Sequence, residues 1–309
     1  MNFKTTAAAL MALTIATAAE AQQKLQIGCT TTTDCSSAMV AVDEGIFKRL
    51  GVDAEMVVIG INSNIPAALL SNSIQIGGPT SPTFLQAVDG GLDLVAVAGA
   101  SVMHETTGNH TAAAYARTGV DIKEPKDFVG KKVGAPGFGA FLHVMFVKWL
   151  SDKGVDPKSL NFVEVSIPTQ SDALKSGAID VGLTGEPWVT RMNNAGVGKV
   201  ASYYVTELKR TEPVIFYAAS RAWAEKNPEL IKKFREAIAE GAKIVHSDHD
   251  KATLAISKFT KQPLEIVRSN KVSYQQPEIK GSDLAWYVDF MTQMKLLQGK
   301  LDLTKVVLK

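Results

Sequence analysis

Hydroxyl, amide and glycine residues that could bind a small molecule follow the predicted strands of this chain. These candidates are Thr32, Thr33, Asn62, Ser63, Thr80, Ser81, Gly137, Gly139 and Thr184. Glycines at a helix start leave backbone N–H groups that can bind an anion, and the segment 136–140 has that composition. The structural alternative is that the hydroxyl and amide side chains cap helices and the glycines only shape turns. We interpret them as a binding site, because all of them fall on one rim.

Aromatic and histidine residues extend the candidate site. Phe138, Phe141 and Trp188 lie in or beside the loops of the second half of the chain, where they could enclose an apolar or ring-bearing part of a ligand. Packing in the core or between lobes is the alternative for all three. His104 and His143 are candidate hydrogen-bond donors, and the alternative for each is a packed or surface histidine.

Glu186 is the candidate whose charge fits an anion site least well. A buried carboxylate requires a cation, an N–H group or a hydroxyl as its partner. Glu186 could therefore pair with Arg191, cap a helix or accept a hydrogen bond from the N–H of a heterocycle. The predicted binding loops contain no obvious Arg or Lys. Their composition suits an organic anion held by backbone N–H groups, and it also suits a neutral heterocycle.

The sequence contains no convincing catalytic or metal-binding set. The pair His104-Glu105 is not followed by a second histidine four residues after the first, as a zinc-binding helix requires, because the next histidine is His110. Neither the nucleophile motif G-x-S-x-G nor the phosphate-binding motif G-x-x-x-x-G-K-[ST] occurs. We therefore predict a binding protein that has no metal and no cofactor.

A duplicated segment indicates the architecture that positions these residues. Residues 68–77 align without a gap with residues 173–182, and five of the ten positions are identical. At the same offset, Pro82 aligns with Pro187. Each copy has the pattern of a helix end, a tight turn, a short buried strand and a polar loop. Open α/β sheets bind ligands at the carboxyl ends of their strands, so two such lobes facing each other would form a binding cleft.

Strands and helices are predicted to alternate along most of the chain. The predicted strands are 25–29, 54–59, 74–77, 92–99, 132–134, 162–166, 179–182 and 214–219. Strands separated by helices favour an α/β fold with mostly parallel sheets and right-handed crossovers. From Asn227 onwards the chain has helical spacing of apolar residues, and we predict that this part is a scaffold packed on the first lobe, without binding loops.

The amino terminus has the pattern of a secretory signal peptide. A positive start at residues 1–4 precedes a small apolar run, and Ala19-Glu20-Ala21 fits a cleavage site. The run is shorter than the ~20 residues that cross a bilayer. An ordinary amino-terminal helix is the alternative. We expect cleavage near Ala21 and Gln22 and export of the mature chain to the periplasm.

The net charge excludes one class of protein, and the two cysteines raise the question of a disulfide. The 33 basic and 31 acidic residues nearly balance, at a formal net charge of +2, which argues against a nucleic-acid binder. Cys29 and Cys35 are the two cysteines of the chain. An oxidising compartment permits a disulfide between them, but a strand end and a helix start could also point their sulfur atoms apart. Both alternatives remain open from the sequence.

Four segments carry a resemblance to a known family. They are Val42–Val52 (VDEGIFKRLGV), Ala67–Gly77 (AALLSNSIQIG), Asp127–Gly134 (DFVGKKVG) and Thr184–Trp188 (TGEPW). In this order they resemble the periplasmic solute-binding proteins of ABC importers, specifically the group that binds sulfonates, nitrate, taurine and pyrimidine precursors of thiamine. Within that superfamily, a pyrimidine-synthase group carries a cysteine-rich motif that this chain lacks. A transcription-factor relative would need a helix-turn-helix where the signal peptide lies.

The resemblance implies a type II periplasmic-binding-protein fold, with two lobes and two hinge crossings near Ala113–Ala116 and Glu212–Val214. The implied division is a signal peptide at 1–21, lobe 1 at 22–115, lobe 2 at 116–212 and the rest of lobe 1 at 213–309. It also implies a monomer that binds a small-molecule solute between its lobes and delivers it to a membrane permease. The expected solute is a sulfonate or carboxylate anion with an apolar or aromatic body. A neutral pyrimidine ligand and a secreted enzyme on the same scaffold are the alternatives.

Overall fold

The computed structural model describes residues 24–103, 111–299 and 301–309. The strands of this part of the chain form two separate five-stranded sheets. In chain order, the strands are β1 (Leu25–Cys29), β2 (Ala54–Val58), β3 (Ile76–Gly77), β4 (Leu94–Gly99), β5 (Ala112–Arg117), β6 (Lys132–Ala135), β7 (Asn161–Glu164), β8 (Val181–Gly185), β9 (Gly198–Ser202) and β10 (Phe216–Ser220). Strands β5 and β9 were not predicted from the sequence.

The two sheets have the same topology. The first has the order β2-β1-β3-β10-β4 and the second the order β7-β6-β8-β5-β9. Strand β1 runs parallel to β2 and β3, as β6 does to β7 and β8. The fourth strand of each sheet, β10 or β5, is antiparallel to both of its neighbours. The prediction of two similarly wound, mostly parallel α/β lobes is therefore confirmed.

In chain order, the antiparallel strand of each sheet follows the last strand of the other sheet. Strand β5 follows β4 of the first sheet, and β10 follows β9 of the second sheet. The first predicted hinge position is wrong, because Ala113–Ala116 lies inside β5 and the chain reaches the second sheet before residue 112. The second predicted crossing, Glu212–Val214, lies between β9 and β10, where Pro213 pairs with Val102 in an isolated bridge.

The helices of the described residues connect and cover the strands. In chain order, they are α1 (Ser36–Asp43), α2 (Ile46–Arg49), α3 (Ile65–Leu70), α4 (Ser81–Asp89), α5 (Phe141–Asp152), α6 (Ile167–Lys175), α7 (Trp188–Asn194), α8 (Tyr204–Glu207), α9 (Arg221–Lys226), α10 (Pro228–Ser247), α11 (His249–Thr260), α12 (Leu264–Arg268) and α13 (Ala285–Gln293). Within this part of the chain, no helix combines the length and apolar character needed to span a membrane.

The duplicated segment folds alike in both lobes. The first copy contains the end of α3, a turn and β3, and the second contains the end of α6, a turn and β8. The turn residues Asn72 and Gly177 both have left-handed backbone conformations, with φ of 56° and 74°. Asparagine and glycine are the residues that adopt this conformation most readily, so the sequence difference between the copies preserves the turn.

Helices α1 and α10 pack closely on the first lobe. Phe234 of α10 stacks on Phe47 at 5.8 Å between ring centroids and meets Tyr217 of β10 edge-on at 5.2 Å. Where α10 crosses α1, a Cβ atom at Gly241 would lie 2.2 Å from the carbonyl oxygen of Ser37. The backbones of the two helices therefore meet at a distance that only glycine permits.

The structure joins Cys29 and Cys35 in a disulfide. Cys29 ends β1 and Cys35 directly precedes α1, so the bond closes the loop of residues 30–34 between them. Of the two alternatives left open by the sequence, the structure has the bonded one.

Candidate ligand-binding site

A cavity of about 390 Å³ lies between the two sheets. Such a volume is within the usual range of small-molecule sites. The first lobe supplies Thr30, Thr32, Asp34, Asn62 and Thr80 to its wall, and the second supplies Pro136, Ala140, Phe141, Leu142, Ile167 and Gly185. Ala112, the first residue of β5, also lines the cavity. The segments connecting the sheets add Val102, Met103, Thr111, Val205, Thr206, Lys209, Arg210, Val214 and Ile215, and Ser273 comes from the carboxyl-terminal part.

Two helix starts, one from each lobe, meet at Thr80. Its hydroxyl oxygen accepts a hydrogen bond from the backbone N–H of Phe141, the first residue of α5, at 3.1 Å. The same oxygen lies 2.8 Å from the hydroxyl of Thr83 in the first turn of α4. The first N–H groups of a helix have no partner within the helix and carry partial positive charge. The meeting of α4 and α5 therefore provides a positive potential at the cavity wall.

Asn62 holds the Thr80 segment in place. Its side-chain oxygen accepts from the backbone N–H of Thr80 at 3.0 Å, and its side-chain nitrogen donates to the carbonyl of Gly78 at 3.2 Å. The backbone N–H of Asn62 donates to the carbonyl of Pro136 in the second lobe at 3.4 Å. Asn62 thus connects the two cavity-lining loops of the first lobe and reaches the second.

The carboxylate of Asp34 is surrounded by hydroxyl groups. It accepts hydrogen bonds from Thr32 at 2.7 Å, from Ser101 at 2.8 Å and from Ser273 at 3.1 Å. Ser273 lies in the carboxyl-terminal part that the sequence pattern had indicated to be scaffold alone. That expectation is wrong, because Ser273 both lines the cavity and binds the first-lobe loop.

Two cationic residues line the cavity although the sequence pattern indicated none. The guanidinium group of Arg210 pairs with the carboxylate of Glu212 and lies 4.7 Å from the ring centroid of Trp286. Lys209 has a left-handed backbone with φ of 51°, and among the described residues it forms no ion pair. Both follow α8 in an irregular segment that no strand-end pattern marks.

Hydrogen bonds between the lobes hold the cavity shut. The indole N–H of Trp188, at the start of α7, donates to the carbonyl of Thr31 at 2.8 Å, and Trp188 is 5% exposed. The side-chain nitrogen of Gln86 donates to the carbonyl of Gly139 at 2.7 Å. These contacts join a loop and helix α4 of the first lobe to the start of α7 and the loop before α5 in the second lobe, which is the arrangement of a closed form.

The structure brings four of the predicted site residues to the cavity wall, and these are Thr32, Asn62, Thr80 and Phe141. Three other hydroxyl candidates lie behind the wall. Thr33 bonds to Ser273 at 2.7 Å, Ser81 donates to the carbonyl of Pro213 at 2.6 Å, and Thr184 is buried with its hydroxyl unpartnered. Contact of the four lining residues with a ligand stays a prediction.

The glycine-rich loop uses several of its N–H groups within the protein. The N–H of Gly139 donates to Nδ1 of His143 at 3.2 Å, and that of Phe138 donates to the carboxylate of Glu164 at 3.1 Å. The Gly137 backbone packs on Ser63, with φ of 133°. The side chain of Phe138 is 47% exposed. Because the N–H groups of Phe138 and Gly139 bind within the protein, the anion-binding potential lies at the start of α5, two residues after Gly139.

Glu186 caps a helix. Its carboxylate accepts hydrogen bonds from the N–H and the hydroxyl of Thr190 in α7, both at 3.1 Å. Burial raises the pKa of Glu186 above its usual value. Of the three roles considered for this residue, the structure shows the cap, and Arg191 bonds instead to Gln262 at 2.9 Å. The remaining candidate, His104, lies outside the described residues.

His143 gives a testable pH dependence. Burial lowers its pKa from 6.5 to about 4, and its ring packs edge-on against Phe162 at 4.8 Å. As pH falls below 6.5, the unfolded chain takes up a proton that the folded protein does not, so stability falls. Between pH 7 and pH 5.5 we expect His143 to lower the free energy of unfolding by about 1 kcal/mol.

Denaturant unfolding at the two pH values measures this effect against His143→Gln, whose side chain does not titrate. The difference in unfolding free energy between pH 7 and pH 5.5 should be smaller in this variant by that amount. Equal differences in wild type and variant would show that His143 titrates normally. Glu186 is present in both proteins, so its own raised pKa cancels from the comparison.

No group of three or more His, Cys, Asp or Glu side chains among the described residues is arranged to hold a metal ion. The site is thus a cavity with hydroxyl, amide and apolar walls, two charged groups without an ion-pair partner in the described chain, Asp34 and Lys209, and two helix starts. Such a set can bind a small polar molecule through hydrogen bonds and charge, and lobe contacts can enclose it.

Known proteins share this fold and part of this sequence. The nitrate/nitrite binding protein NrtA of Synechococcus elongatus is 28% identical over 122 residues, which are 38% of this chain and 27% of that protein. The alignment therefore spans only about a quarter of this curated relative. The alkanesulfonate-binding protein SsuA of Xanthomonas axonopodis pv. citri, bound to MOPS, superposes with a TM-score of 0.75 at 17% identity, covering 92% of this chain and 96% of that one.

A second solved structure, the periplasmic nitrate-binding protein NrtA from Synechocystis, superposes with a TM-score of 0.71 at 16% identity, covering 91% of this chain and 84% of that one. At these identities the superpositions show a common fold. The family described as NMT1/THI5 like matches residues 32–252, more than half of the chain. Together with the two-sheet topology, this match confirms the resemblance found in the sequence: the chain belongs to the NMT1/THI5-like family.

Proposed function

We propose that this protein is the periplasmic substrate-binding component of an ABC importer and that it captures a small organic solute between its lobes. The observation that carries the proposal is the cavity of about 390 Å³ enclosed by loops of both sheets. The named relatives, which bind nitrate, nitrite or alkanesulfonates, support it. The chain would be exported, act as a monomer and pass its solute to a membrane permease.

The residues of the cavity wall support the proposal that the solute carries an acidic group. The starts of α4 and α5 meet there at Thr80, and Lys209 adds a positive charge. Helix starts and an ammonium group favour a sulfonate or carboxylate. Apolar side chains of Val102, Phe141 and Ile167 would contact the body of such a solute. A neutral heterocycle is the second candidate, supported by Asp34, whose carboxylate could accept from a ring N–H.

Hinge motion would couple binding to closure. A solute that contacts both lobes stabilises the closed form relative to the open one. The described cavity holds no arrangement of nucleophile and base that would support turnover, so we propose binding without catalysis.

Calorimetric titration tests the proposed function. Purified protein, freed of copurified small molecules by unfolding and refolding, is titrated with a panel of alkanesulfonates, carboxylates, nitrate and pyrimidines. We expect one member to bind with micromolar or tighter affinity. Native mass spectrometry of freshly purified protein would identify a copurified solute. Absence of binding by every panel member, together with an unliganded native mass, would contradict the proposal.

Trp188→Phe is expected to weaken binding of that ligand about 10-fold. Phenylalanine keeps an aromatic ring but lacks the N–H that reaches the carbonyl of Thr31, and an unpaired buried carbonyl costs about 1–3 kcal/mol. This hydrogen bond joins the two lobes, so its removal destabilises the closed form and not an open form in which the lobes are apart. Trp223→Phe, at a tryptophan of α9 whose described hydrogen bonds lie within the first lobe, is the matched control. Equal affinities of both variants would show that the Trp188 contact does not contribute to closure.

A further inference from the structure

Helix α7 of the second lobe contacts the carboxyl-terminal part of the first lobe. The hydroxyl oxygen of Thr190 lies 2.5 Å from the side-chain oxygen of Asn270, and the guanidinium group of Arg191 donates to the side-chain oxygen of Gln262 at 2.9 Å. Asn270 follows α12, whose Val267 belongs to the apolar core of the first lobe. These hydrogen bonds therefore join the two lobes and exist only while the lobes are together.

The side-chain amide of Asn270 has a fixed orientation. Its nitrogen donates to the backbone carbonyl of Ile266 at 2.8 Å. The reverse orientation would place two oxygen atoms against each other at that distance, where neither could donate. The side-chain oxygen of Asn270 therefore faces Thr190, and it can only accept. Because Asn270 is 7% exposed, the hydroxyl hydrogen of Thr190 must satisfy this contact.

The same hydroxyl group also contacts Glu186. It lies 3.1 Å from one carboxyl oxygen, and the other carboxyl oxygen accepts from the backbone N–H of Thr190 at 3.1 Å. A hydroxyl group has one hydrogen to donate. When Glu186 is ionised, its carboxylate competes with Asn270 for that hydrogen, and one of the two contacts becomes a repulsive pair of oxygens. When Glu186 is protonated, it donates to Thr190 and Thr190 donates to Asn270, so both contacts are hydrogen bonds.

The surroundings of Glu186 favour its neutral form. Burial raises the pKa of Glu186 above its usual value. Burial and, to a smaller extent, the charge of Glu186 raise the pKa of Tyr203, so this neighbouring phenol is uncharged near neutral pH. In the described chain, the charged side chains on α7, in the segment 261–271 and in the loop of residues 30–34 are Arg191, Lys261, Glu265, Arg268, Lys271 and Asp34.

Two of these charged groups have partners of their own. Arg191 bonds to Gln262, and Arg268 pairs with Asp250 at 3.1 Å. Desolvation therefore has the largest influence on Glu186. An ionised carboxylate in a desolvated place is unfavourable, and in this place it also removes the hydrogen that Asn270 needs.

We infer that Glu186, Thr190 and Asn270 form a proton-dependent latch between the lobes, in which closure takes up a proton from the solvent at Glu186. In the open form, Asn270 is separated from Thr190, and Glu186 can cap α7 as a carboxylate. The inference rests on the proposed function, since it assumes that the lobes close on a solute. It concerns the closure of the lobes and does not depend on which solute is bound.

The latch makes solute affinity depend on pH in one direction. The pKa of Glu186 is higher in the closed form than in the open form, so the closed form binds more protons between these two values. Closure is therefore favoured as pH falls through the closed-form value, and the gain is complete below the open-form value. Solute binding should tighten as the solution is acidified and should be accompanied by uptake of up to one proton.

Calorimetric titration of the wild-type protein at pH 8 and pH 5.5 tests this dependence. The probes are alkanesulfonates, nitrate and uracil, which keep their charge in this range. Binding should be about 3- to 10-fold tighter at pH 5.5. When protein and probe are mixed in unbuffered solution near pH 6.5, the pH should rise, and titration back with acid measures the protons taken up.

Glu186→Gln reproduces the protonated carboxyl group at every pH. The glutamine N–H can donate to the hydroxyl of Thr190, and its oxygen can accept from the backbone N–H of Thr190. This variant should bind the same probe about 3- to 10-fold tighter than the wild type at pH 8, and its affinity should change less than about twofold between pH 8 and pH 5.5. Glu124→Gln, at an exposed glutamate of the second lobe, is the matched control and should keep the wild-type pH dependence.

Thr190→Val separates the latch from a direct effect of the Glu186 charge on the solute. Valine keeps the shape of threonine but lacks the hydroxyl group. Addition of Glu186→Gln to this variant should therefore lose most of the gain in affinity at pH 8 that the single replacement gives. Circular dichroism and denaturant unfolding establish that each variant is folded.

The outcomes distinguish the inference from the proposed function. Equal affinities at pH 8 and pH 5.5 without proton uptake would overturn the latch and leave the proposed function standing. A gain from Glu186→Gln that is equal with and without the hydroxyl of Thr190 would also overturn it. If none of the probes binds at either pH, the inference falls together with the proposed function.

Discussion

Gly241→Val is expected to lower the free energy of unfolding by about 3 kcal/mol, the upper part of the range for overpacked core positions. A Cβ atom at Gly241 would lie 2.2 Å from the carbonyl oxygen of Ser37 in α1. The obstacle is backbone, so a side-chain rotation cannot relieve it, and α10 must move away from α1. Alanine normally stabilises a helix interior by about 1 kcal/mol relative to glycine, so Gly241→Ala should also destabilise, against that rule.

Denaturant unfolding followed by circular dichroism measures the effect. Glu236→Val, at an exposed position of the same helix, controls for the lower helix propensity of valine and should cost less than about 1 kcal/mol. If Gly241→Val and Glu236→Val unfold at similar denaturant concentrations, the backbones of α1 and α10 are not in close contact at Gly241. Ser37 also bonds through its hydroxyl to Tyr217 at 3.0 Å, so displacement of α1 would disturb the first sheet.

Removal of the disulfide by the double replacement Cys29→Ala and Cys35→Ala is expected to cost about 2 kcal/mol of stability and to weaken ligand binding. The bond closes the loop of residues 30–34, which supplies Thr30, Thr32 and Asp34 to the cavity and the Thr31 carbonyl to Trp188. Without the bond, the loop has more conformations available in the open form, so ordering it on closure costs more conformational entropy.

The chain provides its own control for this experiment. Cys29 and Cys35 are its only cysteines, so their disulfide is the one bond between cysteines that a reductant can break. Reduction of the wild-type protein should reproduce the affinity of the double variant, and the same reductant should leave the double variant unchanged. If stability falls but affinity does not, the hydroxyl cluster around Asp34 is sufficient to hold the loop.

The fold was accessible from the sequence because its signals are local and repeated. The duplicated segment, with its turns at Asn72 and Gly177, and the short apolar runs predicted two similar lobes. Strands β5 and β9 were not predicted, and each shows a kind of strand that a local sequence pattern does not detect. Strand β5 (AAAYAR) is dominated by alanine, which has little strand preference, and β9 (GKVAS) is an edge strand that pairs only with β5. Their pairing is decided by the rest of the sheet.

The site was less accessible, because lining a cavity depends on contacts between distant segments. Thr32, Asn62, Thr80 and Phe141 follow strands or begin helices, and the strand-end rule placed them at the wall. Lys209 and Arg210 follow no strand end, and Ser273 reaches Asp34 across 239 residues of sequence. Asp34 follows β1 in the loop of residues 30–34, and its charge beside four threonines was the available signal for this lining residue.

The exchange of β5 and β10 between the sheets has a consequence for how the chain can be assembled. Strand β10 lies between β3 and β4, so the first sheet has a gap until residues 216–220 have been synthesised. A nascent chain that ends before this point cannot complete its amino-terminal half. If the chain were divided between β9 and β10, the first polypeptide would lack β10 and the second would carry β10 without the sheet that it joins, so the native arrangement would form only when the two associate.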